Sequence, residues 1–181
     1  MSQSIFELCQ QHSREFPDTR RIRIHVDYSE KENIVVYEYF KEDLLALVQN
    51  TPALSLAARK KILFEVGKAI QELHAKNWIH LGTIFKSYPQ SGCALSLYSL
   101  DVKPDNVMVD WKLDEQGHVQ IEKVALTDLD VSLKLKGDKL LRIPSMQRLG
   151  NFMWRSPEAQ TGQGIGKPSD VFSFGLLVSE P

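Results

Sequence analysis

The sequence predicts an α+β fold in which a small region of strands and one helix precedes a mainly helical region. Residues 21–28 and 33–40 are rich in β-branched and aromatic side chains and flank a short polar connection, as in a β-hairpin. Residues 56–76 repeat apolar side chains at helical spacing. Two more strand-like runs, 106–111 and 118–124, lie on either side of the turn sequence DEQG.

The composition excludes several classes of protein. The 181 residues are 43% hydrophobic and 25% charged, with a formal net charge of -1, so there is no basic excess for binding nucleic acid. Cys9 and Cys93 are too few for a disulfide framework and have no metal-ligand spacing. No apolar run approaches the roughly 18 residues of a membrane span, and the start lacks a signal-peptide core. We therefore expect an intracellular, cytoplasmic protein with no nucleic-acid or membrane partner.

The remaining elements follow from local signals. Residues 3–16 predict a short helix closed by Pro17. In the first strand the residues Ile22, Ile24, Val26 and Tyr28 alternate with polar neighbours, which predicts one buried face. A second short helix is predicted over 41–50, and Ser55 is placed to cap the helix after it. Residues 82–100 and 131–156 show no sustained period, and a last helix begins near Pro168.

Two short motifs carry residues suited to phosphate chemistry. Asp101, Lys103 and Asn106 offer a carboxylate, a cation and an amide oxygen within six residues, ahead of a strand. Phosphoryl transfer to a hydroxyl needs such a carboxylate, a cation near the phosphate and oxygen ligands for Mg²⁺. Asp128 follows the next strand, where a carboxylate can bind the same metal. The alternative reading of each motif is a plain turn beside a strand.

The order of motifs over residues 101–175 resembles the C-terminal lobe of a eukaryotic-type protein kinase. The segment D-V-K-P-D-N begins at Asp101, D-L-D at Asp128, S-P-E at Ser156 and D-V-F-S-F-G at Asp170. A Lys two residues after the first Asp is similar to serine/threonine kinases. The resemblance implies a partial N-lobe of one helix and two strands at 1–40, and a truncated, mainly helical C-lobe at 41–181. An activation-loop-like segment would lie at 131–158, and the chain would be a fragment.

The resemblance also implies roles for individual residues, with ATP and Mg²⁺ as cofactors. Asp101 would be the catalytic base, and Lys103 would steady the γ-phosphate. Asn106 and Asp128 would hold magnesium. Adenine would lie against the following hinge and pocket residues: the backbone of Glu38 and Phe40, with Tyr37 at the back and Met108 on the floor. Glu158 and Asp170 would be structural.

The sequence also departs from the kinase pattern. No glycine-rich loop or strand Lys precedes residue 21, and Leu81 replaces the Arg of the H-R-D triplet. Asp130 replaces the glycine of D-F-G and lacks its backbone freedom. Residues 82–100 separate His80-Leu81 from Asp101, and without them the sequence reads IHLDVKPDN. This segment is predicted to be an insertion, either a translated intron or a genuine surface loop.

The resemblance implies a protein kinase domain that transfers the ATP γ-phosphate to Ser or Thr of a protein substrate, and the departures predict that this chain is weak or inactive. One alternative is a non-catalytic, pseudokinase-like interaction module. A small-molecule phosphotransferase is a further alternative, but Lys103 and the S-P-E segment resemble kinases that act on proteins. The last helix carries apolar residues at 171–177 that would lack cover, so we also expect self-association through exposed apolar surface.

Overall fold

The fold is taken from a computed structural model, which describes residues 1–51, 54–87, 95–100, 102–137, 139–141 and 155–179. For residues 81–87, 95–100 and Val131 the description is of the backbone. The chain divides into two compact units, each built from two segments. The first unit comprises Met1–Ala69 and Pro104–Asp130, and the second comprises Ile70–Lys103 and Val131–Pro181.

The first helix, α1 (Gln3–Glu15), lies where the sequence predicts it. The hydroxyl of Ser2 accepts a hydrogen bond from the Ile5 backbone N–H and so caps its start. The N–H of Phe16 donates to the carbonyl of His12 at 2.8 Å and closes the last turn before Pro17. Phe6, Cys9 and His12 form its buried face.

The next two strands, β1 (His25–Ser29) and β2 (Ile34–Tyr37), form the predicted antiparallel hairpin. The predicted alternation along 21–28 is wrong in its second half. A bulge between His25 and Asp27 shifts the register, and an extra residue there exchanges the two faces of the strand. As a result Val26 is 65% exposed, Tyr28 is 47% exposed and His25 is buried.

Next come the short strand β3 (Glu42–Asp43), which the sequence does not predict, and the two predicted helices, α2 (Leu44–Asn50) and α3 (Leu56–Ala75). The helix predicted over 41–50 thus begins three residues later, at Leu44. Asp43 caps α2 by accepting from the Ala46 N–H at 2.8 Å. Ser55 caps α3 by accepting from the Ala58 N–H at 3.2 Å, as the sequence predicts. The buried face of α3 consists of the apolar residues Ala58, Ile62, Val66, Ala69, Ile70 and Leu73.

After α3 the strand β4 (Trp78–Ile79) leads into β5 (Leu81–Ser87) and β6 (Leu95–Leu100). The last two pair antiparallel, with Leu81 opposite Leu100 at one end and Ser87 opposite Leu95 at the other. The segment therefore forms a hairpin, although its sequence shows no sustained period. A bulge between Gly82 and Phe85 breaks the alternation that would have predicted a strand.

The predicted strand pair around the DEQG turn is confirmed. A 3₁₀ turn (Pro104–Asn106) leads into β7 (Val107–Leu113), and β8 (Val119–Leu126) returns antiparallel to it. Strand β3 pairs with the other edge of β7 and completes a three-stranded sheet. A parallel bridge joins Ile22 to Leu126.

The last part of the chain contains β9 (Leu133–Lys134), paired with β4, and the helices α4 (Pro157–Thr161) and α5 (Lys167–Ser179). The prediction of a plain loop over 131–156 is wrong at β9, and its residues 142–154 lie outside the described part of the chain. Buried apolar residues from these elements form the core of the second unit: Ile79, Leu135, Ala159 and Ile165. Val171 of α5 is 55% exposed.

The structure is mixed α+β, as predicted. None of the described helices is long and apolar enough to cross a membrane. The predicted division into 1–40 and 41–181 concerns kinase lobes, and it stays a prediction, because the two compact units have their boundaries at Ala69, Lys103 and Asp130.

Candidate functional site

The two predicted magnesium ligands lie at the same end of one hairpin in the first unit. Asn106 immediately precedes β7, and Asp128 follows β8 by two residues. Val107 and Leu126 are paired, and beyond them the Thr127 N–H donates to the carbonyl of Asn106 at 2.9 Å. This hydrogen bond extends the ladder by one step, so the two predicted ligands are held at adjacent strand ends.

The backbone around Asp128 differs from what the sequence predicts. Asp128 has a φ of 63°, the left-handed region that Asp tolerates better than most residues. Asp130 lies in a 3₁₀ turn (Leu129–Val131). The prediction that Asp130 occupies a position in need of glycine's freedom is therefore wrong, because the left-handed residue is Asp128.

Asp128 and Asp130 line a cavity of about 190 Å³ in the first unit. Burial raises the pKa of the Asp130 carboxyl, and the negative charge of Asp128 raises it further. With Asp128 ionised, a second negative charge on Asp130 is therefore disfavoured in this cavity. The other lining residues come from α1, from the region of β1 and β2, and from the end of β8: Cys9, His12, Arg23, Ile24, His25, Tyr37, Thr127 and Leu129.

Tyr37, the predicted back of the adenine pocket, lines the same cavity as Asp128. Its hydroxyl lies 3.4 Å from the Cys9 sulfur. Burial raises the pKa of both groups, most strongly that of Tyr37. Both stay protonated near neutral pH, so this end of the cavity presents an uncharged thiol and phenol.

The predicted hinge residues Glu38 and Phe40 line a different cavity of about 230 Å³. The Arg23 Nη2 donates to the Glu38 carbonyl at 2.8 Å, and the guanidinium lies over the rings of Tyr37 and Phe40 at 5.2 and 5.6 Å. Lys123 pairs with the Glu38 carboxylate and lies 5.2 Å from the Phe40 ring. One of the backbone acceptors predicted to face adenine therefore already accepts a hydrogen bond.

Met108, the predicted floor, is half-buried in β7, opposite Asp43 on one side and Ala125 on the other. It lines neither of the two cavities. The four predicted adenine contacts are thus divided: Tyr37 in one cavity, Glu38 and Phe40 in another, and Met108 in neither.

The two predicted catalytic residues are less well defined. Asp101 lies outside the described residues. Lys103 is half-buried and belongs to the second unit, at the end of its first segment. Their roles stay predictions from the sequence.

A buried carboxylate organises the second unit. Asp170 is 1% exposed, and its Oδ2 accepts from His74 Nε2 at 2.8 Å and from the backbone N–H of His80 at 2.9 Å. Burial raises the pKa of Asp170, and the two histidines only partly oppose this effect. Asp170 thus fixes the backbone at the start of the segment that leads to Asp101, in keeping with the structural role implied by its motif.

Glu158, the other predicted structural acid, accepts a hydrogen bond from the Ser169 hydroxyl at 2.7 Å. Burial alone would raise the pKa of Glu158, but hydrogen bonds from Ser169, its own backbone N–H and Ser156 outweigh burial and lower it. This bond links α4 to the first turn of α5.

The residues present fit a magnesium ion better than an adenine ring. The amide oxygen of Asn106 and the carboxylate of Asp128 are the hard oxygen donors that Mg²⁺ prefers. Among the described residues no group of three His, Cys, Asp or Glu could hold a metal alone, so phosphate oxygens and water would complete the coordination. Both cavities are smaller than the roughly 300 Å³ at which ligand pockets begin.

Comparison with known proteins gives a consistent set of relatives. No protein-family profile matches the chain. The chain is 28% identical over 141 residues to Developmentally-regulated protein kinase 1 of Dictyostelium discoideum, a match that covers 77% of the chain and 15% of that protein. It is 27% identical over 146 residues to serine/threonine-protein kinase shk2 of Schizosaccharomyces pombe, covering 81% of the chain and 20% of the relative. Mitosis inhibitor protein kinase wee1 of the same yeast is 27% identical over 121 residues, covering 66% of the chain and 10% of the relative.

The chain spans between a tenth and a fifth of the length of these three relatives. The fold is mixed α+β, and the side-chain oxygens of Asn106 and Asp128 lie at adjacent strand ends. The matches, together with the ordered motifs over residues 101–175, show that the chain is similar to protein kinases.

Of the cavity-lining residues, sequence reasoning missed Arg23, His25 and Lys123. His25 and Lys123 lie on strands and Arg23 lies just before β1. All three fall within strands predicted from the sequence, where charged or polar residues are ordinarily assigned to the solvent face. Their contacts join segments far apart in the chain, such as Arg23 with Glu38 and Lys123 with Phe40. No local sequence pattern predicts such contacts.

Proposed function

We propose that this chain is a serine/threonine-type protein kinase domain that retains the metal-binding end of the phosphotransfer site. The observation that carries the proposal is the hydrogen bond from the Thr127 N–H to the Asn106 carbonyl, which fixes Asn106 and Asp128 at adjacent strand ends. Its substrates would be ATP and a Ser or Thr hydroxyl of a protein.

In this proposal Asn106 and Asp128 would hold Mg²⁺ through their side-chain oxygens, and the bound ion would supply positive charge against the phosphates. Lys103 places a positive charge by the γ-phosphate, and Asp101 accepts the proton of the attacking hydroxyl. The buried Asp170 keeps the backbone at His80 in place.

The surroundings of Glu38 and the position of residues 82–100 predict slow turnover by this chain. The Glu38 carbonyl is engaged by Arg23, and the cavity beside it is small for an adenine ring. Residues 82–100 lie between His80 and the proposed base Asp101, and a displacement of about 1 Å at a catalytic group can cost about 100-fold in rate. We therefore expect turnover at least about 100-fold below the ~1–100 s⁻¹ of protein kinases.

The test combines a binding assay with a transfer assay on the 181-residue chain. Thermal unfolding is followed with Mg²⁺ and ATP together and with each alone, and γ-phosphate transfer is measured on Ser/Thr peptides. We expect a rise in Tm with Mg-ATP that Asp128→Asn abolishes, since a ligand stabilises the state that binds it. Asp18→Asn, which removes an exposed carboxylate outside the site, is the matched control and should leave the shift unchanged.

Each result assigns a function. A Tm shift with slow peptide phosphorylation supports the proposal. No shift at millimolar Mg-ATP would overturn it and leave the non-catalytic, pseudokinase-like module. Transfer to small hydroxyl compounds such as aminoglycosides, with none to peptides, would assign a small-molecule phosphotransferase.

The non-catalytic alternative is favoured by one contact, the Arg23 guanidinium on the Glu38 carbonyl. If this contact blocks adenine, Arg23→Gln should tighten Mg-ATP binding relative to the natural sequence. Arg20→Gln is the control, because Arg20 is exposed and lines the same cavity. Weaker binding in Arg23→Gln would instead mean that Arg23 supports the nucleotide site.

A further inference from the structure

The cavity of about 230 Å³ in the first unit is lined by more positive than negative side chains. Among the described residues around it, Arg20, Arg23 and Lys123 are positively charged at neutral pH, and the carboxylate of Glu38 is negatively charged. Its lining includes solvent-exposed residues, such as Arg20 and Val26, so the cavity opens to the surface. A recess lined mainly by one sign of charge concentrates ions of the opposite sign. This cavity therefore attracts anions.

Arg23 carries a hydrogen-bond donor that is not satisfied. Its Nη2 donates to the carbonyl of Glu38 at 2.8 Å, whereas its Nε is buried and has no hydrogen-bond partner among the described residues. Leaving a buried donor without an acceptor costs free energy, and the cost is larger for a charged group. One physical explanation of such a group is a bound ion or water. The Nε of Arg23 thus indicates an acceptor that the described residues do not supply.

Two of the cations lie around the same aromatic ring. The Arg23 guanidinium and the Lys123 ammonium are 5.6 and 5.2 Å from the centre of the Phe40 ring. Both also contact Glu38, Arg23 at its carbonyl and Lys123 at its carboxylate. The Glu38 side chain is 51% exposed, so water screens its charge and it offsets only part of the repulsion between the two cations. A further negative charge beside them is stabilising.

The size of the cavity and the types of cation define the class of ligand. Its volume of about 230 Å³ is below the roughly 300 Å³ at which pockets for organic ligands begin, so it suits a small ion. Guanidinium groups bind phosphate-type oxyanions through paired N–H···O bonds, and a Lys ammonium adds a compact positive charge. A tetrahedral oxyanion has several acceptor oxygens and can accept hydrogen bonds from more than one of these side chains.

We propose that this cavity is a binding site for a small tetrahedral oxyanion, phosphate or sulfate, held by Arg20, Arg23 and Lys123. Neither of the proposed magnesium ligands, Asn106 and Asp128, lines this cavity. The inference is therefore independent of the phosphotransfer proposal.

The experiment measures the binding of inorganic phosphate to the 181-residue chain by isothermal titration calorimetry in metal-free buffer at pH 8. Sodium chloride keeps the ionic strength constant, so that a general salt effect is not counted as binding. Sulfate is the second probe. The test variants are Arg23→Gln, Lys123→Gln and Arg20→Gln. Lys112→Gln is the matched control, because Lys112 also pairs with a glutamate, Glu122, but does not line the cavity.

We expect saturable binding of both oxyanions with a Kd on the order of 1 mM, raised at least about tenfold by Arg23→Gln. Lys123→Gln and Arg20→Gln should each raise the Kd about threefold or more, because each removes one positive charge from the cavity. Lys112→Gln should leave the Kd unchanged. Circular dichroism checks that each variant is folded. If Arg23→Gln does not fold, Lys123→Gln and Arg20→Gln decide the test, because Arg20 is exposed and the Lys123 side chain is 35% exposed.

The proposal fails on either of two results. One is a natural chain that shows no saturable binding of phosphate or sulfate up to about 50 mM beyond the effect of chloride. The other is binding that the cavity variants weaken no more than Lys112→Gln does, which would place the ion elsewhere on the chain.

Discussion

At the scale of single residues, His25 links folding to pH. It is buried, it lies edge-on to Tyr28 at 5.6 Å between ring centroids, and its Nε2 is 3.5 Å from the Gln10 side-chain nitrogen. Burial lowers the pKa of His25, so the folded chain holds this proton less well than the unfolded chain does. Stability should then fall as the pH drops below about 6.5 and level off below the lowered folded pKa.

His25→Gln is expected to flatten this part of the pH profile. The unfolding free energy, measured with denaturant between pH 5 and 8, should lose the slope that His25 contributes, because Gln does not titrate. His118→Gln is the control, since the His118 side chain is 71% exposed. An unchanged slope in the His25 variant would show that another group titrates in this range.

The residues of the candidate site differ in how far the sequence could predict them. Asn106 and Asp128 each adjoin a strand of one hairpin, so their positions follow once the hairpin is recognised. The left-handed backbone at Asp128 was missed, because the motif directs attention to the glycine position at Asp130. Arg23 was missed because its contacts with Glu38 and Phe40 depend on how β1 and β2 pack.

At the scale of secondary-structure elements, two glycines have opposite expected effects. Gly162 ends α4 with a φ of 76°, and its N–H donates to the carbonyl of Glu158. Gly175 lies within α5, and an added Cβ there would meet nothing within 4 Å. Gly162→Ala should cost about 1 kcal/mol of the unfolding free energy, because alanine strains the left-handed turn.

Gly175→Ala is the matched change and should stabilise the protein by about 0.5–1 kcal/mol, because alanine loses less backbone entropy in a helix. Both values are measured by chemical denaturation at pH 7. Equal effects of the two substitutions would contradict the assigned backbone at Gly162.

Elements with a long, regular pattern were predicted well, and short or bulged ones were not. Helix α3 repeats its apolar residues over five turns, and its buried face follows from that repeat. Helix α4 has five residues, too few to show a period. In β1 and β5 a single extra residue reverses the alternation of buried and exposed side chains. The alternating pattern then predicts the wrong buried face in the second half of β1, and it predicts no strand at β5.

At the scale of the whole molecule, the hairpin of β5 and β6 explains how residues 82–100 are accommodated. Leu81 and Leu100 are opposite each other in the ladder, so the segment leaves the fold and returns to nearly the same point. Opposed residues in an antiparallel pair have Cα atoms about 4.5–5.5 Å apart, against about 3.8 Å for neighbours in sequence. This geometry suits a translated intron and a genuine loop equally, and a cDNA read across this point separates them.

Deletion of residues 82–100 should therefore leave a folded chain, because Leu81 can take the place of Leu100 after a shift of only a few ångström. We expect the denaturation midpoint to stay close to that of the full chain. Because the deletion restores the continuous sequence IHLDVKPDN, transfer of the γ-phosphate should rise, by up to about 100-fold if the insertion displaces Asp101. The full chain, which keeps the segment, is the control for activity and is assayed at the same concentration. A deletion variant that cannot fold would show that the hairpin supports the second unit and is not a separate insertion.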